Sequence, residues 1–353
     1  MKLSPIPVHN WHPVDRELWT RAQKKASKLD DPGWAAHLRP ATIGLAERGY
    51  GLWNSWLINR NLLSNGASPK NLITKKDVLR FAEEFCKGRS GNTVHLALRG
   101  IHTVVRAMEE TRDYGWLDHI ARHYAATPKT RNKAARLVPI DALFAFGQEL
   151  IDKNRGPLPL TSFAAYEFRD GLMISFLAAH PDRRHNFQDL RLGDTLVQDK
   201  VGYLVQHDGA QMKNHKARSY RVIDSLTPHL DLYFSRVRPV LMKNTKIEAD
   251  TGHVWLSQYG KPMSPASISS RISDLTKSKF GKAIPPHFFR DCAATSIALE
   301  DPGHVWITKE VLGHSSIATS QKVYNQACNL SASRRFTTST TALRALLKQD
   351  VID

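Results

Sequence analysis

Two basic residues in the carboxyl-terminal part of the chain, spaced as neighbours on one face of a helix, are the first candidates for a catalytic or anion-binding role. In "PPHFFRDCAATSIA", His287 and Arg290 lie three residues apart at the start of a helical run, so both side chains project from one face. Unpaired backbone N–H groups at a helix start add further donors for an anion. Ordinary helix-end polarity is the alternative, and an isolated HxxR favours that alternative.

A histidine and a tyrosine follow in "VLGHSSIATSQKVYNQA". His314 comes after a glycine that ends one predicted helix, and Tyr324 lies ten residues further on. A single tyrosine is more often a core residue than a nucleophile. Forming its phenolate at pH 7 costs roughly 4 kcal/mol. A nucleophilic Tyr324 would therefore require a base or clustered cations nearby.

Two upstream segments supply candidate cations. "HPDRRHNFQDLRLGD" places Arg183 and Arg184 at the end of an apolar helix, where they could simply extend toward solvent. "AQMKNHKARSYR" places Lys213 and Lys216 near a predicted hairpin turn, where a solvated turn is the alternative. Each signal is weak alone, and their order along the chain is what matters.

That order resembles the tyrosine recombinase (phage integrase) family over residues 139–330. The shared features are an arginine before "LRLGD", a hairpin lysine, HxxR, "LGHSS" and a late tyrosine. The resemblance implies that Arg183 is the first catalytic arginine, with Arg184 less favoured, and that Lys213 is the hairpin lysine, with Lys216 as the alternative. It also implies that the remaining catalytic residues are His287, Arg290, His314 and the nucleophile Tyr324.

The sequence departs from the family pattern at two places. The family often has an acidic residue three positions after the first arginine, where this chain has Asn186. The interval from His314 to Tyr324 is ten residues, one more than the commonest nine. We therefore expect the support for Arg183 and the approach of Tyr324 to differ in detail.

The activity implied by the resemblance is site-specific DNA recombination or integration through a 3′-phosphotyrosyl intermediate, without metal, ATP or other cofactor. The implied partners are double-stranded DNA at attachment sites, further subunits in a tetramer on paired sites, and an accessory DNA-bending or directionality protein. A topoisomerase-like nicking–closing enzyme and an inactive sequence-specific DNA-binding protein are the alternatives. A metal site formed by His287, His314 and Cys292 is disfavoured because Cys292 would point to a different helix face.

Bulk composition agrees with a nucleic-acid partner. The 353 residues carry a formal net charge of +17, which favours a polyanion or an acidic membrane surface. No apolar run approaches the roughly 20 residues of a bilayer span, and the amino terminus lacks the apolar core of a secretory signal. The three cysteines are far apart, so we expect reduced thiols and a cytoplasmic protein.

The predicted fold is mainly α with a small antiparallel β-sheet, in two domains. We expect a helical core-binding domain that clamps DNA and a mixed α/β catalytic domain of tyrosine recombinase type. A basic linker would join them through Lys129, Arg131, Lys133 and Arg136, whose spaced cations suit phosphates. The predicted boundaries are an irregular arm at 1–39, the core-binding domain at 40–126, the linker at 127–138, the catalytic domain at 139–330 and a helical tail at 331–353.

Local patterns place the elements within these domains. Helices are predicted from residue 40, from a capping pair at Thr74 and Asp77, from Ser90 and over 114–125. In the second half, helices are predicted over 139–152, 162–180, 226–242, 264–279 and from 287 onward, with strands at "TLVQ", "GYLVQH" and "RSYRVI". The tail carries an apolar stripe that could pack on its own domain or dock on a neighbouring subunit.

Overall fold

A computed structural model describes residues 3–27, 30–63, 66–126, 134–156, 160–209, 217–243 and 250–300. The chain forms two units, Met1–Arg131 (unit 1) and Asn132–Asp353 (unit 2). Each unit has its own hydrophobic core. The predicted tail lies outside the described residues, as does most of the predicted linker.

Within its described residues, unit 1 contains helices and no strands. Thr74 accepts a hydrogen bond from the Asp77 backbone N–H and donates one to the Asp77 carboxylate, and Ser90 accepts one from the Thr93 N–H. These contacts confirm the predicted helix starts. The α-helices are α1 (Pro13–Ala22), α2 (Pro40–Asn59), α3 (Lys75–Cys86), α4 (Gly91–Met108) and α5 (Gly115–Ala126).

The first 39 residues differ from the predicted irregular arm, because they contain α1 and pack into the core of unit 1. Trp11 and Trp19 are buried there. The inward face of α1 also carries Asp15, which accepts hydrogen bonds from Tyr50 Oη, at 2.6 Å, and from Ser68 Oγ. A buried aspartate interrupts the apolar period, so the periodicity argument missed this helix.

The core of unit 1 depends on aromatic packing and on one close helix crossing. Trp53 stacks on Trp56 with ring centroids 5.1 Å apart, and Phe81 meets both rings edge-on. Helices α2 and α4 cross at Gly49 and Gly100, where a Cβ on Gly49 would lie 2.7 Å from the Gly100 Cα. Only glycine permits this approach.

Unit 2 combines helices with a small sheet, which confirms the predicted fold class. The five predicted helices of this unit begin within one residue of their predicted starts, whereas the short helix α8 was not predicted. The described α-helices are α6 (Ile140–Lys153), α7 (Ser162–Ala179), α8 (Arg184–Gln188), α9 (Thr227–Leu232), α10 (Arg238–Met242), α11 (Pro265–Phe280) and α12 (Pro286–Glu300). A π-helical turn at Tyr233–Val237 joins α9 to α10, where the sequence predicts one continuous helix.

The sheet has three antiparallel strands in the order β1-β2-β3. They are β1 (Leu196–Asp199), β2 (Gly202–His207) and β3 (Arg218–Arg221). Leu196 pairs with Val205, and His207 pairs with Arg218. The predicted strands are confirmed, and the pairing brings the end of β2 beside the start of β3.

Helix α7 is the central element of unit 2. Twelve of its residues, from Ala165 to Ala178, are buried, so the apolar segment at 171–179 is the buried helix that the sequence predicts. It crosses α6 at Gly171 and Gly147, where a Cβ on Gly171 would lie 2.6 Å from the Gly147 carbonyl oxygen. This close crossing fixes the end of α7, after which the arginine-bearing turn begins.

Among the residues that the structure describes, no helix has the length and apolar character needed to cross a bilayer.

Candidate functional site

The turn at residues 180–183 links buried α7 to short α8. The Asp182 N–H donates to the His180 carbonyl at 2.7 Å, and Arg183 occupies the N-cap of α8. Phe187 anchors α8, because its side chain is fully buried and its carbonyl accepts from Trp255 Nε1 at 2.8 Å. The turn therefore holds Arg183 between two elements fixed by the core.

Helix α12 presents the HxxR pair. Phe288 and Phe289 are buried, as predicted, and they set which face of α12 packs on the core. Arg290 is half-buried, and its Nη1 donates to the Pro181 carbonyl at 2.8 Å. His287, one turn earlier, is exposed. This hydrogen bond brings Arg290 to the turn that carries Arg183.

Three guanidinium groups meet at this turn, because Arg183 belongs to it, Arg290 donates to Pro181 and Arg218 donates to Asp182. Burial, and then the charges of Arg183 and Arg218, lower the pKa of Arg290 to about 10. Arg290 remains charged at neutral pH and lies close to two other cations. Such a cluster attracts an anion, which would relieve the mutual repulsion.

One fully buried carboxylate lies within this cluster. Asp182 Oδ1 accepts from Arg218 Nη1 at 2.8 Å, and Oδ2 accepts from Tyr220 Oη. His207 Nε2 lies 3.8 Å from Oδ2, which is too far for a hydrogen bond. Burial alone would raise the pKa of Asp182, but His207, Arg218 and Tyr220 hold that pKa below its usual value. Asp182 is therefore an anion at neutral pH.

Tyr220 is the tyrosine that the structure places beside the arginines, within the described residues. Burial, the charge of Asp182 and the hydrogen bond to Asp182 raise the pKa of Tyr220 well above its ordinary value. The hydroxyl therefore keeps its proton and donates to the carboxylate. The guanidinium of Arg218 lies 5.0 Å from the centre of the Tyr220 ring. Tyr220 thus orients its neighbours and is unsuited to nucleophilic attack.

His180 completes the turn as a neutral side chain. Burial, and then the charge of Arg218, lower the pKa of His180 to about 4 against the opposing effect of Asp182. The neutral ring accepts the Ile223 N–H through Nε2 at 3.1 Å and stacks on Tyr220 with centroids 4.8 Å apart. The turn is therefore tied to the end of β3 as well as to α12.

Several of the predicted catalytic residues lie outside the described part of the chain. These are Lys213, Lys216, His314 and Tyr324. Among the described ones, Arg183 and Arg290 come together, whereas Arg184 is exposed at the start of α8. Asn186, three residues after Arg183, lies on α8 and carries no charge. The charged carboxylate beside the arginines belongs instead to Asp182, the residue before Arg183.

Of the four basic residues of the predicted linker, the structure also describes only some. Lys129, Arg131 and Lys133 are outside the described residues. Arg136 lies in a 3₁₀ turn at Ala134–Arg136, donates to the Ala283 carbonyl and sits over the Phe288 ring at 4.7 Å. This part of the predicted extended linker is therefore packed on unit 2.

The thiol considered for a metal site is part of the core. Cys292 is buried, and burial raises the pKa of its thiol to about 11, so the thiol stays protonated. Across the described residues, no group of three or more histidine, cysteine or acidic side chains has an arrangement suited to a metal ion.

Sequence reasoning missed the residues that hold the cluster: His180, Asp182, Arg218 and Tyr220. Arg218 and Tyr220 alternate on β3, which puts both on one face of the strand. That alternation was visible in "RSYR", but its partner Asp182 lies 36 residues away from Arg218. Only the folded chain brings them together.

Comparison with known proteins gives a consistent set of similarities. Residues 159–329 match the phage integrase family. The chain is 33% identical over 155 residues to tyrosine recombinase XerD of Staphylococcus saprophyticus, which covers 44% of this chain and 49% of that protein. It is 29% identical over 197 residues to XerD of Staphylococcus epidermidis, covering 55% of this chain and 59% of that one. The chain thus spans about half the length of the curated relatives it matches.

A solved structure shares the fold. The XerH site-specific recombinase, bound to its difH substrate in a pre-cleavage complex, superposes with a TM-score of 0.52 at 17% identity. The match covers 81% of this chain and 76% of that one. At this identity the likeness establishes a common fold.

Proposed function

We propose that the chain, whose residues 159–329 match the phage integrase family, is a site-specific DNA recombinase that cleaves and rejoins strands through Tyr324. The observation that carries this proposal is that one turn brings three arginines together. Arg183 lies in this turn, Arg218 donates to its Asp182 carboxylate at 2.8 Å, and Arg290 donates to its Pro181 carbonyl at 2.8 Å. Three guanidinium groups supply paired N–H donors for the non-bridging oxygens of a phosphodiester.

The proposed reaction exchanges one phosphate ester for another. The Tyr324 oxygen forms a bond to phosphorus while the bond from phosphorus to the 5′ oxygen breaks, leaving a 3′-phosphotyrosine and a 5′-hydroxyl. Arg183 and Arg290 stabilise the charge that builds on the non-bridging oxygens. Attack by a 5′-hydroxyl reverses the step and releases the tyrosine. Because the ester bond is conserved, the cycle needs no ATP, and the arginines supply the positive charge that a metal would provide.

Proton transfers fall to the remaining residues. His287, exposed on the same helix as Arg290, would accept the Tyr324 proton or hold the phosphate. Lys213 would protonate the leaving 5′ oxygen, with Lys216 as the alternative. His314 would donate a further hydrogen bond to the phosphate. Tyr220 is unsuited to be the nucleophile, because it is held as a donor to Asp182 and its pKa is raised.

We extend the proposal to the partners of the protein. Unit 1 and the basic linker would contact the same duplex as unit 2, and four subunits would assemble on two paired sites. The net charge of +17 favours such a polyanionic partner. DNA of the correct sequence can be obtained by selecting duplexes from a random pool for binding to the protein.

A suicide substrate tests the chemistry. A selected duplex nicked close to the cleavage point loses the 5′-hydroxyl fragment by diffusion, so the covalent protein–DNA adduct accumulates. The wild-type protein should form the adduct, and Tyr324→Phe should bind the duplex without forming it. Tyr259→Phe is the matched control, because Tyr259 is an exposed tyrosine on the surface of unit 2. An adduct with Tyr324→Phe would overturn the assignment of the nucleophile.

A plasmid assay separates recombination from simple nicking and closing. A supercoiled plasmid with two selected sites should give exchanged products, whereas a plasmid with one site should give none. Relaxation of both plasmids without exchange would indicate a topoisomerase-like enzyme. Binding without any covalent adduct would indicate a DNA-binding protein.

A further inference from the structure

The carboxylate of Asp182 has no role in the reaction described above, although it lies within the arginine cluster. It is fully buried and receives hydrogen bonds from Arg218 and Tyr220, which alternate on β3. Asp182 directly precedes Arg183 in the chain. The main-chain carbonyl of Pro181, the residue before Asp182, accepts a hydrogen bond from Arg290. One four-residue turn thus contacts or contains each of the three arginines.

The charges around this carboxylate set its effect. Burial, and then the charges of Arg183 and Arg218, lower the pKa of Arg290, while the charges of Asp182 and Asp291 act in the opposite direction. Loss of the Asp182 charge would strengthen the net repulsion among the three arginines around a low-dielectric site. Their side chains would then move apart toward water before any DNA arrived.

We propose that Asp182 is a positioning residue for the phosphate-binding arginines. Its carboxylate fixes Arg218 directly and, as an internal countercharge, allows Arg183 and Arg290 to converge in the free protein. The arginines then meet the scissile phosphate already oriented, and no reorganisation is required when charge builds in the transition state. This inference rests on the proposed function, and it adds a residue that acts through Arg218 without touching the substrate.

Arg218 is the connection between the carboxylate and the phosphate. Asp182 holds Nη1 at 2.8 Å, and the Tyr220 ring lies 5.0 Å from the guanidinium carbon, so the group has a fixed orientation. About 20% of the Arg218 side chain remains exposed. The side chain is thus held from within the fold and remains accessible to a phosphate group.

The neutral variant Asp182→Asn tests the role of the charge, and Asp199→Asn is its matched control. Asp199 also pairs with an arginine of β3, Arg221, at 2.7 Å, but that pair is exposed on the surface. The assay is single-turnover cleavage of two duplexes, one with a natural scissile phosphate and one with an uncharged methylphosphonate at that position. Binding affinity and thermal stability are measured for every variant.

We expect Asp182→Asn to slow cleavage of the natural duplex on the order of 100-fold, with unchanged affinity for DNA. On the methylphosphonate duplex its rate relative to wild type should recover to within a few-fold, because a neutral phosphorus centre needs little cationic stabilisation. Asp199→Asn should match wild type on both. Equal slowing on both substrates, or no slowing on either, would overturn the role of Asp182.

If Asp182→Asn does not fold, the variant Arg218→Lys provides a second test of the inference. The lysine preserves the charge pair, so the fold is retained, but it loses the oriented guanidinium. We expect slowing that is confined to the charged duplex, and slowing of both duplexes alike would contradict the inference. A wild-type protein that cleaves neither duplex would instead overturn the proposed function itself, and the inference with it.

Discussion

The two units use the same helix crossing for different purposes. In unit 1, α2 and α4 approach at Gly49 and Gly100, and in unit 2, α6 and α7 approach at Gly147 and Gly171. The surroundings differ, because unit 1 packs stacked tryptophans near its crossing, whereas unit 2 buries charged side chains beyond the end of α7. Aromatic packing dominates the interior of unit 1, whereas unit 2 also buries carboxylates that pair with its arginines.

The buried carboxylates of the two units make the contrast specific. Asp15 in unit 1 accepts from the neutral hydroxyls of Tyr50 and Ser68. Asp170 in unit 2 pairs with Arg169 and with Arg271, both at 2.6 Å. A carboxylate between two arginines cannot lose its charge without leaving cations unpaired in the interior. Unit 2 therefore depends on complete ion-pair networks, and unit 1 depends mainly on packing.

The largest expected effect comes from neutralising these carboxylates. Asp170→Asn should lower the free energy of unfolding of unit 2 by about 3–5 kcal/mol, because it leaves the buried Arg169 without its ion pair. Asp15→Asn should cost unit 1 about 1–3 kcal/mol, since its partners are neutral donors. Hydrogen exchange followed peptide by peptide measures each unit separately. Equal losses in both units would remove the distinction between them.

Acid should weaken unit 2 through His180. The folded pKa of His180 is about 4, below its ordinary 6.5, so the stabilisation is complete above about pH 6.5. As the pH falls toward 4, His180 binds a proton in the unfolded chain but not in the folded chain. The free energy of unfolding therefore falls by about 3 kcal/mol. His180→Gln should abolish this slope in urea unfolding at pH 7, 6 and 5. In unit 1, burial also lowers the pKa of His102, so His102→Gln is the matched variant. If His180→Gln showed the same pH dependence of stability as wild type, His180 would not be its source.

The glycine crossings should behave alike in the two units. Gly49→Ala and Gly171→Ala each push a Cβ to within 2.6 Å or less of a backbone oxygen, so each should cost about 1–3 kcal/mol of stability. Gly44→Ala in α2 is the control, because nothing lies within 4 Å of its added methyl group. It should raise stability by about 0.5–1 kcal/mol. Thermal unfolding checks all three, and a neutral Gly171→Ala would show that α6 and α7 can separate freely.

The smallest effect concerns the linker between the units. Replacing Lys129, Arg131 and Lys133 by alanine should flatten the dependence of log affinity on log salt by about 0.9 per lost phosphate contact. Arg136→Ala should leave that slope unchanged, because Arg136 is engaged by Ala283 and Phe288 within unit 2. Salt titrations of duplex binding compare the two variants. A flatter slope for Arg136→Ala would place that arginine on DNA.

Local sequence signals predicted most elements and failed where a polar residue was buried. Capping residues such as Thr74 and Ser90 identified helix starts, and strand alternation identified the sheet. The helix α1 was missed because Asp15 lies on its inward face. The pairing of Arg183 with Arg290 was expected from the order of motifs that the chain shares with the family. Asp182 was not expected, because its partners lie on β3 and no periodic sequence pattern identifies them.

The hydrogen bond from Arg290 to the Pro181 carbonyl has a consequence for evolution. Every amino acid carries a main-chain carbonyl, so a substitution at position 181 that preserves the turn leaves this acceptor in place. Arg218 depends instead on a side chain that a single codon change can delete. Sequence drift should therefore be tolerated at position 181 far more readily than at position 182, although both residues are buried side by side in the same turn.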